Sequence, residues 1–271
     1  MKQKLQFVIS THSPHFLSEL PNKAIKCFRQ LDNGRFAVIP SSHPYAAFWR
    51  LGVTDGPSVR VIVEDRLAKY VVEEAISILP DAAERALFHV DIQSGGAQGI
   101  WKYHIPSLIG SRENVVVLFD GDQKHEGFVD PDTIPVCDNH KLTETIKKIT
   151  GVEPMLSLDG GADKDREEQR IKKQRQYLAW IKDNVEFLPT SCPDELILSA
   201  AFLVPKAKTD STGYKRELRS YIFEEVQRKM DNAEFEILAR HALAKNKGTS
   251  KHLPILAQML QRHLPRKCLN S

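Results

Sequence analysis

Two short segments, VRVIV at Val59–Val63 and VVVLF at Val115–Phe119, contain almost only apolar residues, and each leads directly into a carboxylate. Segments this short and this apolar are typical of strands that are buried on both faces of a sheet. Stretches with apolar residues at helical spacing lie between such segments, and this alternation predicts a parallel sheet flanked by helices. The sequence therefore predicts an α/β fold.

The predicted sheet has four strands. The residues from Asp65 to Leu79 are predicted to form a helix after the first strand, with Asp65 well placed as its N-cap. The region from about 125 to 183 is polar and rich in turns, and its charged part, 163–183, is predicted to be one solvated helix. Past Pro193 the chain is expected to be mostly helical. The predicted strands are Val59–Glu64, Leu87–Gln93, Asn114–Asp120 and Val185–Thr190, and the predicted later helices are Asp194–Val204, Tyr214–Met230, Asn232–Ala244 and Ser250–His263.

The first part of the chain is predicted to contribute a separate β segment. LQFVIST at Leu5–Thr11 predicts a strand, and the residues from 23 to 40 predict two strands joined by a hairpin turn at Asp32-Asn33-Gly34. We therefore expect three parts, which are an amino-terminal β segment at 1–56, a sheet domain at 57–192 with an insertion at about 125–183, and a carboxyl-terminal helical subdomain at 193–271.

Composition limits the class of protein. With 271 residues, 41% of them hydrophobic and 27% charged, the chain is long enough for a substantial core. Its four cysteines stand far apart without a CxxC pair, which favours a reducing compartment. No apolar run is long enough for a membrane span or a signal peptide. We expect a cytoplasmic protein with no membrane partner.

Charge is distributed unevenly along the chain. The segment from Pro205 to Ser271 has 14 Lys and Arg against 7 Asp and Glu, whereas the preceding residues are acidic overall. This distribution fits an acidic part that holds cations and a basic part that holds a polyanion such as nucleic acid. On charge alone, a solvated helical surface is the stronger explanation.

Acidic residues follow three of the predicted strands. They are Glu64 after the first strand, Asp120 and Asp122 after the third, and Asp194-Glu195 shortly after the fourth. Because functional groups gather at the carboxyl ends of parallel strands, we expect these side chains to lie close together. Carboxylates without a compact His and Cys set suit Mg²⁺ or Mn²⁺ and not zinc.

Each acidic feature also has a purely structural explanation. Glu64 could cap a helix or pair with a lysine, and Asp120 with Gly121 could form a plain turn. Asp194 and Glu195 follow a proline at a predicted helix start, where acidic residues interact favourably with the helix dipole.

The order of these motifs resembles a known family. A Glu at the end of the first strand and an Asp-x-Asp at the end of the third are similar to the Toprim fold of topoisomerases, primases and certain nucleases. VISTHSPHFL, at residues 8–17, resembles the last strand and switch-histidine loop of an ABC-type ATPase. In the overcoming-lysogenization-defect (OLD) family an ABC-like ATPase is followed directly by a Toprim nuclease. VIVEDRLAK, VVVLFDGDQ and FLPTSCPDEL match that order, so the resemblance covers nearly the whole chain.

The resemblance implies a Toprim-type sheet and metal-dependent cleavage of DNA in defence against phage. It implies Asp120 and Asp122 as metal ligands and Glu64 as a ligand or general base. Asp194, with Glu195 as the alternative, would hold a second Mg²⁺ or Mn²⁺ ion. A lysine of the helical subdomain would stabilise charge on the phosphate, and Lys251 fits that place best, with Lys247 as a close competitor.

The chain departs from the family at the first motif. Toprim sequences commonly read Glu-Gly-x-x-Asp there, whereas Asp65 stands at the glycine and Ala68 at the later acid. One ligand is therefore expected from elsewhere, with Glu73 or Glu74 as candidates.

A second departure concerns the ATPase part. No Gly-x-x-x-x-Gly-Lys-Ser/Thr loop occurs in the sequence, so this chain is not expected to hydrolyse ATP. His12 would be a vestigial switch histidine, and we expect residues 1–56 to be a remnant of the ATPase domain, in a fragment or a natural truncation.

Other classes fit less well. A haloacid-dehalogenase phosphatase needs its Asp-x-Asp on the first strand, and a receiver domain is less than half as long. Topoisomerases and primases need modules for which the chain has no room. The remaining alternative is a DNA-binding or dimerisation module of a defence complex that has lost catalysis. For either function we expect DNA as the partner, a homodimer, and possible further components of a defence complex.

Overall fold

The computed structural model describes most of the chain from residue 59 onward and short stretches before it. The described residues are 8–11, 16, 20–30, 34–39, 59–111, 113–125, 127–158, 163–201 and 210–264. They divide into two compact units, a smaller one within 1–58, 80–88 and 264–271 and a larger one at 59–79 and 89–263. His12 and the turn residues Asp32 and Asn33 lie outside the described residues.

The smaller unit contains a β-hairpin. Strands β1 (Cys27–Gln30) and β2 (Phe36–Ile39) pair antiparallel, which confirms the predicted hairpin. The predicted strand at Leu5–Thr11 was wrong for its described residues, because Val8–Thr11 have no regular secondary structure and Val8 is 91% exposed. A 3₁₀ turn at Asn22–Ala24 and one helical turn at Ala82–Arg85 complete the regular elements described in this unit.

A four-stranded parallel sheet forms the centre of the fold, in the order β4-β3-β5-β6. This confirms the predicted parallel α/β sheet. The strand of this sheet that comes first along the chain, β3, lies between β4 and β5. The register places Ile62 beside Val117 and Phe119 beside Phe187, so neighbouring strands end near one another. The strands are β3 (Val59–Val63), β4 (Phe88–Ile92), β5 (Asn114–Phe119) and β6 (Val185–Phe187).

Helices follow the strands as the hydrophobic pattern predicted. Helix α1 (Arg66–Ser77) starts at Asp65, whose Oδ1 accepts a hydrogen bond from the Ala68 amide at 2.8 Å. After β4 the chain continues through α2 (Gly96–Gly99), a π-helical turn at Ile100–His104, and α3 (Ile105–Leu108).

One face of the sheet is covered by aromatic and aliphatic side chains. Trp101 stacks on Phe119 with ring centroids 4.2 Å apart, and the hydroxyl of Tyr177 donates to the Trp101 carbonyl at 3.0 Å. Burying rings of this size contributes several kcal/mol of hydrophobic stabilisation, at about 25 cal/mol per Å² of apolar surface. The core therefore holds the strand ends in fixed relative positions.

The insertion is more ordered than its composition suggested. Helix α4 (Leu142–Thr150) buries Leu142 and Ile146, and it was not predicted. Helix α5 (Asp163–Asn184) was predicted to be solvated, but this was wrong for its second half, because Leu178 and Ile181 are fully buried against the sheet. The charged residues of its first half dominated the sequence pattern, so the apolar face of the second half was not recognised.

Arg175 of α5 holds part of the loop between β5 and α4, and Lys182 of the same helix pairs with Asp130 in that loop. Arg175 donates from Nη1 to the Pro131 carbonyl at 2.6 Å, and from Nη2 to the Ile134 carbonyl at 2.8 Å and Asn139 Oδ1 at 2.6 Å. Two 3₁₀ turns, Pro131–Thr133 and Val136–Lys141, lie in the segment that it holds.

The described residues after 192 are mostly helical, as predicted. No helix in the described part of the chain is both long and apolar enough to cross a membrane. The helices are α6 (Pro193–Ala200), α7 (Ser211–Val226), α8 (Asn232–Asn246) and α9 (His252–Gln261), with a 3₁₀ turn at Lys247–Thr249.

Candidate functional site

The ends of β3 and β5 bring the first two predicted carboxylates together. Glu64 follows β3 and Asp120 follows β5, and these strands are neighbours in the sheet. Oε1 of Glu64 accepts a hydrogen bond from the Asp120 amide at 3.4 Å. Both residues are half-buried, and the ends of these two strands form a carboxylate-rich edge.

Gly121 lets the next turn lie directly against the chain that follows β6. A Cβ at this position would lie 2.2 Å from the Thr190 carbonyl oxygen and 2.9 Å from that of Leu188. No larger residue fits without a backbone shift. In the same turn, the Asp122 amide donates to the Ser191 carbonyl at 3.0 Å. The Asp-Gly-Asp motif therefore joins the ends of β5 and β6.

The two aspartates of this motif have different surroundings. The Asp122 side chain is exposed and accepts hydrogen bonds from Ser211 Oγ at the start of α7 and from Gln123 Nε2 at 2.9 Å. Asp120, directly after the strand, is half-buried. Asp122 therefore faces solvent and the helical part, whereas Asp120 belongs to the interior of the sheet edge.

Asp194 is a buried carboxylate without a hydrogen-bond partner on one of its oxygens. It lies in the first turn of α6 and is 1% exposed. Its Oδ1 has no hydrogen-bond partner among the residues that the structure describes. An unsatisfied buried oxygen of this kind costs about 1–3 kcal/mol, and more if it carries charge. A buried polar group without a partner calls for an explanation, and a bound ion is one that suits a carboxylate.

Burial and mutual repulsion shift the pKa values of these carboxyls upward. The pKa of Asp120 is raised to about 8, first by burial and then by the negative charge of Glu64. Burial also raises the pKa of Glu64, against which the Asp120 amide acts in the opposite direction. Burial raises the pKa of Asp194 to about 6, although the positive charge of Lys215 opposes the shift. Carboxyls with raised pKa values that share one location are candidates for a functional site.

Asp65 adds a further negative charge to this group. Its charge raises the pKa values of Glu64, Asp120 and Asp194. Sequence reasoning treated Asp65 only as an N-cap and as a departure from a motif glycine. Its position directly after Glu64 was the signal that could have placed it in the site.

Two basic side chains of α7 act to lower the pKa values of Asp120 and Asp194. They were not identified from the sequence as part of the site. Lys215 acts on both Asp120 and Asp194, and Arg219 acts on Asp194. They are four residues apart and therefore share one face of the helix. This spacing in YKRELRS is the signal that could have identified them.

Glu195 has a local structural role. Its Oε2 accepts hydrogen bonds from the Ser191 amide at 2.7 Å and from Ser191 Oγ at 2.5 Å. This closes the turn that leads into α6. Of the two adjacent acids, Asp194 is the one with a carboxylate oxygen that its neighbours leave unsatisfied.

The two lysine candidates differ in their contacts. Lys247 Nζ lies 3.7 Å from Glu74 Oε2 and 3.5 Å from Ser77 Oγ, so it belongs to a surface contact with α1. Lys251 is exposed at the N-cap of α9. Its role at the phosphate stays a prediction.

Glu73 and Glu74, the alternative ligands on α1, are both engaged in ion pairs. Glu73 pairs with Arg240 at 3.2 Å and with Lys69 at 3.9 Å, and Glu74 pairs with Lys247. Beyond Glu64, the acids whose charge raises the pKa of Asp120 are Asp65 and Asp122.

The donor set suits a hard cation, although it does not form a complete cage. Among the described residues, no group of three or more His, Cys, Asp or Glu side chains is arranged to hold a metal ion. Mg²⁺ in proteins is commonly bound through one or two carboxylates together with waters and substrate phosphates. Glu64 with Asp120, and the unsatisfied oxygen of Asp194, provide ligands of this kind.

The chain was compared with models of known protein families and with curated proteins, and neither comparison finds a match.

Proposed function

We propose that this chain is a metal-dependent endonuclease that hydrolyses phosphodiester bonds of DNA. The observation that carries the proposal is the pair of neighbouring carboxyls Glu64 and Asp120 at the strand ends, together with the unpartnered buried oxygen of Asp194. These side chains come from three separate places in the sequence, and burial together with repulsion raises the pKa of Asp120 to about 8. A divalent cation would relieve that repulsion.

The order of the motifs also supports the proposal. The resemblance to the OLD family implies a Toprim-type nuclease with acids at the ends of the first and third strands, and β3 and β5 end in such acids. It further implies defence against phage as the biological setting, and DNA and a second copy of the chain as partners.

The residues have separate tasks in the proposed reaction. A bound Mg²⁺ or Mn²⁺ ion would stabilise charge on the phosphate and lower the pKa of an attacking water. Glu64, whose pKa is raised, accepts the proton of that water as its oxygen bonds to phosphorus. The bond from phosphorus to the leaving oxygen breaks, and that oxygen takes a proton from solvent. Asp120, Asp122 and Asp194 would hold the cation, and Lys251 would stabilise negative charge on the phosphate.

A nicking assay on supercoiled plasmid tests the proposal. We expect purified protein to cut in Mg²⁺ or Mn²⁺ and to stop cutting in EDTA. Asp120→Asn should abolish cutting, whereas Asp165→Asn, which changes an exposed carboxylate on α5, should not. Retention of full activity by Asp120→Asn would refute the assignment of this residue.

A second function is favoured by the incomplete cage and by Ala68 in place of the later acid of the motif. In that case the chain binds DNA, or dimerises within a defence complex, without cutting. The same assay distinguishes the two functions. Binding of DNA without cleavage in Mg²⁺, Mn²⁺ or Ca²⁺ would identify the binding module.

A further inference from the structure

A small pocket lies beside the carboxylate group, on the side of the helical part. It has a volume of about 180 Å³, below the size of pockets for drug-sized ligands. Asp65 and Asp194 line it, together with Lys215 and Arg219 from α7 and Asn232 and Glu236 from α8. Glu64, Asp120 and Asp122 are not part of its lining, so the pocket is a neighbouring place and not the carboxylate edge itself.

Arg219 is held in one orientation at this pocket. Its Nη2 donates to Asn232 Oδ1 at 2.8 Å, and its guanidinium lies 4.3 Å from the ring centroid of Phe235. A guanidinium has five N–H donors, and the contact with Asn232 uses one of its nitrogens. The others stay available to a ligand without a further cost in side-chain entropy.

Lys215 supplies a second positive charge one helical turn away. Among the described residues its ammonium makes no hydrogen bond and no ion pair, although its charge acts on Asp120 and Asp194. The side chain is exposed and can reach toward a ligand in the pocket.

One acid of the pocket is paired with a cation, and a second accepts a hydrogen bond from the backbone. Glu236 pairs with Arg66 at 3.3 Å, and Asp65 accepts a hydrogen bond from the Ala68 amide. Asp194 keeps its unpartnered buried oxygen at the pocket wall. A divalent cation bound to that oxygen would offset the negative charge of Asp194. Lys215 and Arg219 could then attract an anion.

We propose that this pocket binds a phosphate of the DNA strand next to the phosphate that is cut, with Lys215 and Arg219 as its donors. The inference rests on the proposed nuclease function. An ammonium and a fixed guanidinium on one helix face match the oxygens of a phosphodiester. The small volume suits a single phosphate group and not a base pair. Both residues are therefore positioning residues, which fix the strand relative to the carboxylates.

The test measures DNA affinity as a function of salt concentration. Fluorescence anisotropy of a labelled duplex is recorded with Asp120→Asn protein, which leaves the DNA uncut, in Mg²⁺ and in EDTA. In Mg²⁺, Lys215→Gln and Arg219→Gln should each weaken binding on the order of fivefold and reduce the slope of log K against log salt by about 1. Lys215→Arg should keep the slope.

Arg216→Gln is the matched control. Arg216 is exposed and directly follows Lys215 on α7, but it does not line the pocket. Its replacement removes the same charge and should change the slope less than either pocket variant does. An equal loss for Arg216→Gln would overturn the proposal, because it would indicate a general charge effect.

Steady-state cleavage by protein with Asp120 intact separates this inference from the proposed function. Lys215→Gln should raise KM and leave kcat nearly unchanged, as expected when a binding contact away from the reacting atoms is lost. If the parent protein cuts and neither pocket variant changes KM or the salt slope, the pocket assignment fails and the nuclease function stands. If the parent protein cuts in no metal, the nuclease function fails, and the assignment of the pocket to a cut strand fails with it.

Discussion

The backbone amide of Asp120 donates a hydrogen bond to Oε1 of Glu64 at 3.4 Å, across neighbouring parallel strands. The orientation of Glu64 is thus fixed by main-chain atoms of the sheet and not by a mobile side chain. The same contact brings the negative charge of Glu64 close to the Asp120 carboxyl, and this charge helps to raise its pKa. Two carboxyls that the sheet forces together are destabilising when both are ionised, which gives measurable consequences.

The stability of the metal-free protein should decrease as the pH rises. The pKa of Asp120 is about 8 in the folded protein, against about 3.9 for an unperturbed aspartate. A raised folded-state pKa contributes stability that is fully present below the unfolded value and lost as the pH rises through the folded value. Between pH 5 and 8 in EDTA, the urea midpoint of the wild type should fall, and that of Asp120→Asn should fall less.

At pH 8 the Asp120→Asn variant should therefore be more stable than the wild type. Each kcal/mol of repulsion removed should raise Tm by about 2–4 °C. Asp165→Asn serves as the control and should follow the wild-type curve. Parallel curves for the wild type and Asp120→Asn would contradict the raised pKa of Asp120.

Metal binding should distinguish Asp194 from Glu195. Added Mn²⁺ at about 100 times its Kd should stabilise the wild type by about 2.7 kcal/mol, read as a rise in Tm. Asp194→Asn should reduce this rise, because it removes the charge from the unpartnered buried carboxylate. Glu195→Gln should keep most of it, since the amide oxygen can still accept from Ser191. A larger loss of the Tm rise in Glu195→Gln than in Asp194→Asn would identify Glu195 as the metal ligand instead.

Replacement of Gly121 should destabilise the fold. The Cβ of Gly121→Ala would lie 2.2 Å from a backbone oxygen of Thr190, which cannot move as a side chain could. We expect a loss of about 1–3 kcal/mol in the free energy of unfolding, measured by urea denaturation. Gly127→Ala has no neighbour within 4 Å and is the matched control. Equal stability of the two variants would show that the turn does not pack against the chain after β6 as described.

The two lysine candidates should differ in cleavage. Lys251→Ala should lower kcat by about 100-fold if it removes a donor to the developing charge. Lys247→Ala should have little effect, because Lys247 pairs with Glu74 on the protein surface. If Lys247→Ala is instead the slow variant, the alignment of the last helix with the family is displaced by four residues.

The buried half of α5 should behave as core. Leu178→Ala removes a fully buried side chain and should cost about 2–5 kcal/mol in the free energy of unfolding. Lys172→Ala, on the exposed part of the same helix, should stay within about 0.5 kcal/mol of the wild type. A small effect of Leu178→Ala would instead support the prediction that α5 is solvated along its whole length.

The strands could be predicted because their apolar runs are short, dense and bounded by turn residues. The N-cap role of Asp65 could also be predicted, because a hydrogen bond to an amide three residues ahead is a local interaction. The burial of α5 was not readable, because Tyr177, Leu178 and Ile181 follow a long charged run that dominates the pattern. A local pattern does not say which half of a helix meets the sheet.

For the site, the acids at the strand ends could be predicted and their partners could not. Parallel strands bring their ends together in any such fold, so Glu64 and Asp120 were expected to meet. Lys215 and Arg219 act on this group from a helix that is distant in sequence, and only packing determines which residues of that helix face it. The different surroundings of Asp194 and Glu195 likewise depend on the turn at Ser191.

Arg175 holds a polar segment of the insertion in place, which the composition of that segment does not indicate. Its guanidinium binds the carbonyls of Pro131 and Ile134 and the side chain of Asn139, and Lys182 of the same helix pairs with Asp130. Loss of the Arg175 side chain would remove three of these attachments at once, whereas the ion pair between Lys182 and Asp130 would remain.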